Sequence, residues 1–138
     1  MKILAPVSDI MSKCIIQVNI TDSLTKAEQL FKTHKIRHIP VVSHNKIVGM
    51  LSYTDLLKAS FADFSDNDET IEHTVYNMFS IEQVMTKDVV TIYSYTPIKE
   101  AAEILSQNDF RALPVVYEDR LVGIVTTTDL IKYLLFKF

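Results

Sequence analysis

The sequence is poor in several residue types, and each shortage narrows the range of proteins it could encode. Cys14 is the only cysteine in 138 residues, which excludes an intrachain disulfide framework and is typical of a reducing compartment such as the cytoplasm. Lysine and arginine total 14 against 17 acidic residues, so the chain lacks the basic excess that favours binding to nucleic acid. No apolar run approaches the roughly 18 residues of a membrane span, and the N-terminal run is too short for a signal peptide. These features predict a soluble cytoplasmic protein whose core needs neither disulfides nor metals.

Glycine is also scarce, and its placement shows how the chain is organised. There are 2 glycines, where average usage of about 7% would give nearly ten. They are Gly49 and Gly123, and shifting the sequence on itself by the interval between them aligns many identical residues without a gap. The identical pairs include Met11/Met85, Ala27/Ala101, Arg37/Arg111, Pro40-Val41-Val42/Pro114-Val115-Val116 and Thr54-Asp55-Leu56/Thr128-Asp129-Leu130. The chain is therefore an internal duplication.

Each copy has the same predicted order of elements: strand, helix, strand, strand, helix. In the first copy these are a strand at 15–18, a helix starting at 22–23, a hairpin of strands at 38–42 and 46–51, and a closing helix from 52. The second copy repeats them at 89–92, 96–97, 112–116, 120–125 and 126, with Pro97 predicted at the first helical position. The pattern predicts an α+β protein.

The two copies are separated by an insert. We predict boundaries of 1–60 for the first copy, 61–80 for the insert and 81–138 for the second copy. The acidic stretch 63–69 is predicted to be solvated, and 70–79 has the apolar spacing of a helix. Because neither glycine nor proline interrupts the insert, we expect it to pack on the two copies rather than act as a free linker.

Two motifs, each present in both copies, carry a family resemblance. They are Arg37-His38-Ile39-Pro40-Val41-Val42 with its partner at 111–116, and Gly49-Met50-Leu51-Ser52-Tyr53-Thr54-Asp55-Leu56 with its partner at 123–130. The chain resembles a tandem pair of cystathionine-β-synthase (CBS) domains, also called a Bateman module. The resemblance implies an α/β-type sandwich of two βαββα repeats related by pseudo-two-fold symmetry, with adenine nucleotides bound in clefts between the repeats. It also implies a homodimer.

The second motif supplies most of the candidate nucleotide-binding residues, which are Ser52, Thr54, Asp55, Thr126, Thr128 and Asp129. Ser52 or Thr126 at a helix N-cap satisfies a free N–H, and the aspartate three residues later completes a capping-box arrangement. The exposed N–H groups of a helix start suit a phosphate, and a carboxylate there can accept hydrogen bonds from both ribose hydroxyls. The preceding glycine is expected either to adopt a positive φ or to allow a ligand to approach the backbone.

Further candidates follow from the resemblance and from the first strands. The resemblance implies that Arg37, His38 and Arg111 supply basic side chains to phosphates, and a guanidinium can bind phosphate through two hydrogen bonds. Ile16 and Val90 are candidates to form an apolar slot for adenine. The second copy has Ala112 where the first has His38, which predicts a weaker phosphate grip in the second copy.

No pattern of catalytic residues accompanies these motifs. His34 and His38 have the spacing of a helical zinc pair, but a strand is predicted from 38 and there is no third ligand nearby, so no metal site is expected. The leading hypothesis is therefore a non-enzymatic regulatory module without a cofactor, which senses AMP, ADP, ATP or S-adenosylmethionine and signals to an unidentified regulated protein. The alternative is a ligand-free oligomerisation module that acts through protein–protein contacts.

Overall fold

The computed structural model describes residues 5–61 and 79–138, which fall into two units. The first unit comprises the described residues between 16 and 89, and the second unit combines residues 5–15 with 90–138. Each unit holds one three-stranded sheet, which confirms the predicted α+β class and the duplication. The acidic stretch at 63–69 and most of the helix predicted at 70–79 lie outside the described residues.

The first unit contains the sheet of the first copy. Its elements are β1 (Val18–Asn19), α1 (Leu24–His34), β2 (His38–Ser43), β3 (Lys46–Ser52), α2 (Tyr53–Phe61) and the one-turn helix α3 (Ile81–Val84). Strand β1 pairs in parallel with β2, and β2 pairs antiparallel with β3. Strand β1 is later and shorter than the predicted 15–18, because only Val18 and Asn19 pair with β2.

The second unit repeats this arrangement. Its elements are a 3-10 helix (Val7–Asp9), β4 (Ile92–Tyr93), α4 (Ile98–Ser106), β5 (Ala112–Tyr117), β6 (Arg120–Thr126) and α5 (Thr127–Lys137). The pairing directions are the same, and Val115 lies opposite Gly123 just as Val41 lies opposite Gly49. None of the helices in the described ranges has the length and apolar character needed to cross a bilayer.

Both predicted hairpins are present, and each is closed by a two-residue turn. His44 and Asn45 have φ values of 53° and 67°, and Glu118 and Asp119 have 50° and 64°. Two consecutive positive φ angles give the turn whose twist matches that of the flanking strands. The first strand of each hairpin runs one residue further toward the turn than predicted, and the second strand ends one residue later than predicted.

The N-termini of helices α1 and α4 are capped differently. The Ser23 hydroxyl accepts a hydrogen bond from the Lys26 N–H at 3.1 Å, as expected for an N-cap. Pro97 is itself the N-cap of α4, with φ −62° and ψ 143°, so the prediction that it occupies the first helical position is wrong. The Thr96 hydroxyl accepts from the Tyr93 N–H at 3.0 Å. Thr96 therefore closes the turn between β4 and α4 instead of capping the helix.

Each unit has its own hydrophobic core. The core of the first unit consists of Val18, Leu24, Ala27, Phe31, Ile39, Val41, Leu51, Leu56 and Ile81. The core of the second unit consists of Val7, Ile92, Ile98, Ala101, Leu105, Leu113, Val115 and Val125. Ile81 opens the second sequence copy yet is fully buried in the first unit, and Val7 opens the first copy yet is fully buried in the second unit.

The opening segment of each sequence copy thus packs in the unit that holds the sheet of the other copy. We call this the exchange of opening segments, and backbone hydrogen bonds hold each segment in place. In the first unit, Met50 and Thr86 exchange two backbone bonds, Met50 N–H to Thr86 O at 3.0 Å and the reverse at 2.9 Å. In the second unit, Ser12 and Ile124 do the same at 2.9 and 3.1 Å. Each sheet therefore receives a short antiparallel bridge from the segment that opens the other copy.

The exchange of opening segments explains why positions 49 and 123 are glycine. Neither has a positive φ, so that part of the expectation is wrong. A Cβ atom at Gly49 would lie 2.4 Å from the Met85 sulfur, and one at Gly123 would lie 2.4 Å from the Met11 sulfur. Glycine is needed because the methionine of the exchanged segment packs directly on the strand backbone, where any side chain would collide with it.

Candidate functional site

The candidate site of each unit is built on the start of the helix that follows the hairpin. The Ser52 hydroxyl accepts from the Asp55 N–H at 3.0 Å at the start of α2. The Thr126 hydroxyl accepts from the Asp129 N–H at 3.2 Å at the start of α5. Both hydroxyls therefore occupy the N-cap position that the motif predicts.

The aspartates of the two helix starts differ. The Asp129 carboxylate accepts from the Thr126 N–H at 2.9 Å, which completes a reciprocal capping box in the second unit. In the described part of the first unit, no hydrogen bond joins the Ser52 N–H to the Asp55 carboxylate. Equivalent motifs thus give a closed capping box in one unit and a half-open one in the other.

The start of β2 lies beside the start of α2. The Tyr53 N–H donates to the Arg37 carbonyl at 2.9 Å, and His38 lies opposite Ser52 in the strand register. The first unit therefore places the backbone of Arg37 and His38 next to the N-terminus of α2. The Arg37 side chain is exposed and that of His38 is partly buried.

The second unit has the same backbone geometry with fewer basic groups. The Thr127 N–H donates to the Arg111 carbonyl at 3.0 Å, and Ala112 lies opposite Thr126. Arg111 is exposed, whereas Ala112 is buried and offers no hydrogen-bonding side chain. The second unit thus places one basic residue where the first places an arginine and a histidine.

The apolar candidates lie at the same end of each sheet. Val18 pairs in parallel with Val41 and Ile92 with Val115, so the residues just before β1 and β4 lie toward the starts of β2 and β5. Ile16 is partly buried, whereas Val90 is 43% exposed. The first unit therefore has the more sheltered apolar side chain at this position. Thr54 and Thr128 lie in the first turn of their helices and are exposed.

Asp129 also lines a cavity that sequence reasoning did not identify. The cavity has a volume of about 490 Å³, lies within the second unit, and is lined by Ala5, Asp9, Ile10, Asp129, Lys132, Tyr133, Phe136 and Lys137. The repeated Asp-x-x-Lys spacing at Asp55/Lys58 and Asp129/Lys132 could have pointed to Lys132, because residues three apart share a helix face. The opening segment could not be placed there from the sequence.

A second cavity lies at the other end of the first sheet and contains none of the predicted residues. Its volume is about 480 Å³, and it lies beside the β1–α1 turn and the hairpin turn. There the Asn19 N–H donates to the Asp22 carboxylate at 2.8 Å, and this hydrogen bond lowers the pKa of Asp22 below its usual value.

The two histidines that have the spacing of a helical zinc pair lie on different elements. His34 lies in the last turn of α1 and His38 begins β2, so the two are not on one helix face. Within residues 5–61 and 79–138, no three histidine, cysteine or acidic side chains are grouped closely enough to hold a metal ion.

The two N-cap hydroxyls can be tested for their structural role. We expect Ser52→Ala and Thr126→Ala each to lower the free energy of unfolding by about 1 kcal/mol, since each leaves a helix N–H without its acceptor. Denaturant unfolding measures this loss. Thr54→Ala is the matched control, because its hydroxyl lies in the first turn of the same helix, is exposed, and makes no hydrogen bond in the described structure. A loss in the control as large as in Ser52→Ala would contradict the capping role.

Solved structures with this fold include complexes with adenosine compounds. The CBS domain pair of protein MJ0100, in complex with 5′-methylthioadenosine and S-adenosyl-L-methionine, has a TM-score of 0.81 at 31% identity over 98% of this chain and 99% of that one. CBSX2 in complex with AMP has a TM-score of 0.79 at 25% identity over 96% of this chain and 98% of that one.

Sequence relatives include both short and long proteins. A CBS domain-containing protein of Dictyostelium discoideum is 29% identical over 98% of this chain and 93% of its own length. Uncharacterized protein MJ1225 of Methanocaldococcus jannaschii is 31% identical over 92% of this chain. The homoserine O-acetyltransferase of Methanohalobium evestigatum is 36% identical over 90% of this chain. The chain spans 46% and 23% of the lengths of these last two relatives.

The family profile matches the chain twice. It is the profile of the CBS domain, and it covers residues 7–62 and 81–136. Together with the duplicated sheets and the solved CBS pairs of the same fold, this match establishes that the chain belongs to the CBS domain family.

Proposed function

We propose that the chain is a regulatory module that binds an adenosine-containing ligand at the N-termini of α2 and α5. The observation that carries the proposal is the grouping of Asp55, Arg37 and His38 around one helix start in the first unit. Solved CBS pairs of the same fold bind 5′-methylthioadenosine, S-adenosyl-L-methionine and AMP, which supports an adenosine compound as the ligand class.

Each group has a defined chemical role in this proposal. The carboxylate at the helix start accepts hydrogen bonds from the two ribose hydroxyls, and the helix N–H groups with Arg37 and His38 favour an anionic group next to the ribose. Ile16 provides apolar surface for the base, and Val90 does so in the second unit. Thr54 and Thr128, on the exposed first turn, offer hydroxyls to polar ligand atoms.

The ligand acts here as a regulator and not as a substrate. Binding stabilises the conformation to which the ligand binds more tightly, and a regulated protein that distinguishes the conformations reads out the shift. We propose that the module itself is non-enzymatic and needs no cofactor. The exposed Cys14 accords with a reducing, cytoplasmic compartment.

A second candidate function is supported by one face of α5. Ile131, Leu134 and Leu135 recur at helical spacing on this helix and are 52%, 54% and 74% exposed, and Phe138, which follows the helix, is 98% exposed. An apolar stripe of this kind is typical of an interface. A ligand-free oligomerisation module, or a homodimer that also binds ligand, would use this face.

A panel of adenosine ligands tests the proposed function. AMP, ADP, ATP, S-adenosylmethionine and 5′-methylthioadenosine are each added at about 1 mM, and the unfolding midpoint is measured. A ligand at a hundred times its dissociation constant adds about 2.7 kcal/mol of stability, which is several degrees for a protein of this size. Guanosine monophosphate is the matched control ligand. If no adenosine compound raised the midpoint above that of the ligand-free protein, the sensor proposal would be overturned and the oligomerisation module favoured.

A further inference from the structure

The two helix starts are not equally ready to bind a ribose. The Asp129 carboxylate is held by the Thr126 N–H at 2.9 Å, whereas the Asp55 carboxylate accepts no hydrogen bond from the described residues. A carboxylate that already accepts a backbone N–H has fewer lone pairs to offer to two hydroxyls. Asp129 keeps lone pairs for a ligand, but its capping bond fixes the carboxylate toward the Thr126 N–H, whereas no such bond in the described structure orients Asp55.

We propose that the two sites are filled unequally, with the site at Asp55 in the first unit taking the adenosine ligand first and Asp129 serving chiefly as a helix cap. This inference rests on the proposed function and adds the assignment of the binding site to one unit. Residues at the starts of β2 and β5 favour the same unit, since the first unit has His38 where the second has the buried Ala112. Ile16 is also less exposed than Val90, which gives the first unit the more sheltered apolar surface.

The groups around Asp55 also indicate which ligands bind best. The backbone of Arg37 and His38 lies next to the start of α2, the helix that carries Asp55, and the Arg37 guanidinium is exposed there. A compound with a phosphate next to its ribose therefore gains an attraction that an uncharged thioether substituent lacks. AMP is expected to bind the first unit at least about tenfold more tightly than 5′-methylthioadenosine, a difference of about 1.4 kcal/mol.

The matched pair Asp55→Ala and Asp129→Ala tests the assignment, because both variants remove one carboxylate from the third residue after an N-cap. Two properties are measured for each: the dissociation constant for AMP by titration calorimetry and the unfolding midpoint without ligand. Asp55→Ala is expected to weaken AMP binding by about 10- to 100-fold and to leave the midpoint within about 2 °C of wild type. Asp129→Ala is expected to lower the midpoint by about 2–6 °C. Its dissociation constant for the tighter AMP-binding step should stay within about threefold of the wild-type value.

The outcomes separate this inference from the function on which it rests. If the wild type binds AMP and Asp129→Ala abolishes the tighter step while Asp55→Ala does not, the assignment is wrong and the sensor function stands. Equal losses of affinity in both variants would also overturn the assignment. Absence of binding of AMP, S-adenosylmethionine and 5′-methylthioadenosine to the wild type would overturn both. Should Asp129→Ala fail to fold, Asp129→Asn keeps an oxygen that can accept the capping bond, and it is expected to retain the tighter binding step.

Discussion

Replacing Ile81 with alanine is expected to lower the free energy of unfolding by about 2–5 kcal/mol. Ile81 has no solvent-exposed surface and belongs to the core of the first unit, although in sequence it opens the second copy. Removing its side chain beyond Cβ leaves a cavity that the packed neighbours can only partly fill. Denaturant unfolding measures the loss, and its size tests whether Ile81 is buried in a core as the structure shows.

An isoleucine at an exposed position gives the control for this experiment. Ile131 is 52% exposed on α5, so the same change to alanine is expected to alter stability by no more than about 0.5 kcal/mol at low protein concentration. If Ile81→Ala were as mild as Ile131→Ala, residues 81–84 would not belong to the core of the first unit and the exchanged arrangement would be wrong.

A methyl group added at Gly49 is expected to destabilise the protein by about 1–3 kcal/mol. The new Cβ would lie 2.4 Å from the Met85 sulfur and 3.0 Å from the Thr86 carbonyl oxygen. The methionine side chain can rotate away, but the carbonyl oxygen is fixed by its bond from the Met50 N–H. The entropic gain from replacing glycine, about 0.4–1 kcal/mol, is smaller than this cost, so the net effect is destabilising.

A double variant tests whether the collision with Met85 causes this loss of stability. In the double variant Gly49→Ala/Met85→Ala the sulfur is gone, so the loss of stability should be smaller than the sum of the two single losses. Gly123→Ala with Met11→Ala repeats the test in the second unit, where the corresponding sulfur distance is also 2.4 Å. Simple additivity in both pairs would show that these methionines do not pack on the glycines.

Much of each repeat was predictable because its signals are local. Alternating β-branched residues around Ser43-His44-Asn45 and Tyr117-Glu118-Asp119 predicted both hairpins to within about a residue at each end. The side-chain oxygens of Ser52 and Thr126 predicted two helix starts. The error at Pro97 has a local cause as well, since proline's fixed φ suits both the N-cap and the first helical position.

The exchange of opening segments was not predictable, because the copies are too similar. Met11 and Met85 align with each other, so each is equally compatible with packing on Gly49 or on Gly123. Sequence similarity shows that the segments are equivalent and says nothing about which sheet each one joins. The pairings of Ser12 with Ile124 and of Met50 with Thr86 became apparent only in three dimensions.

The different hydrogen bonding of Asp55 and Asp129 was not predictable either, again because the two copies are so similar. Both copies have Ser or Thr followed three residues later by Asp, which predicts the same capping box twice. Whether the carboxylate turns back to the N-cap N–H depends on its rotamer. Only the structure distinguishes the closed box at Asp129 from the half-open one at Asp55.

The central claim is that an adenosine ligand binds at the start of α2, and amide chemical-shift mapping by NMR tests it most directly. Titrating AMP into the wild-type protein should shift the amides of residues 37–38 and 52–55 most strongly. The turn at His44 and Asn45, at the far end of the same sheet, is the internal control and should change little. Shifts concentrated at that turn, or none anywhere at millimolar AMP, would contradict the account.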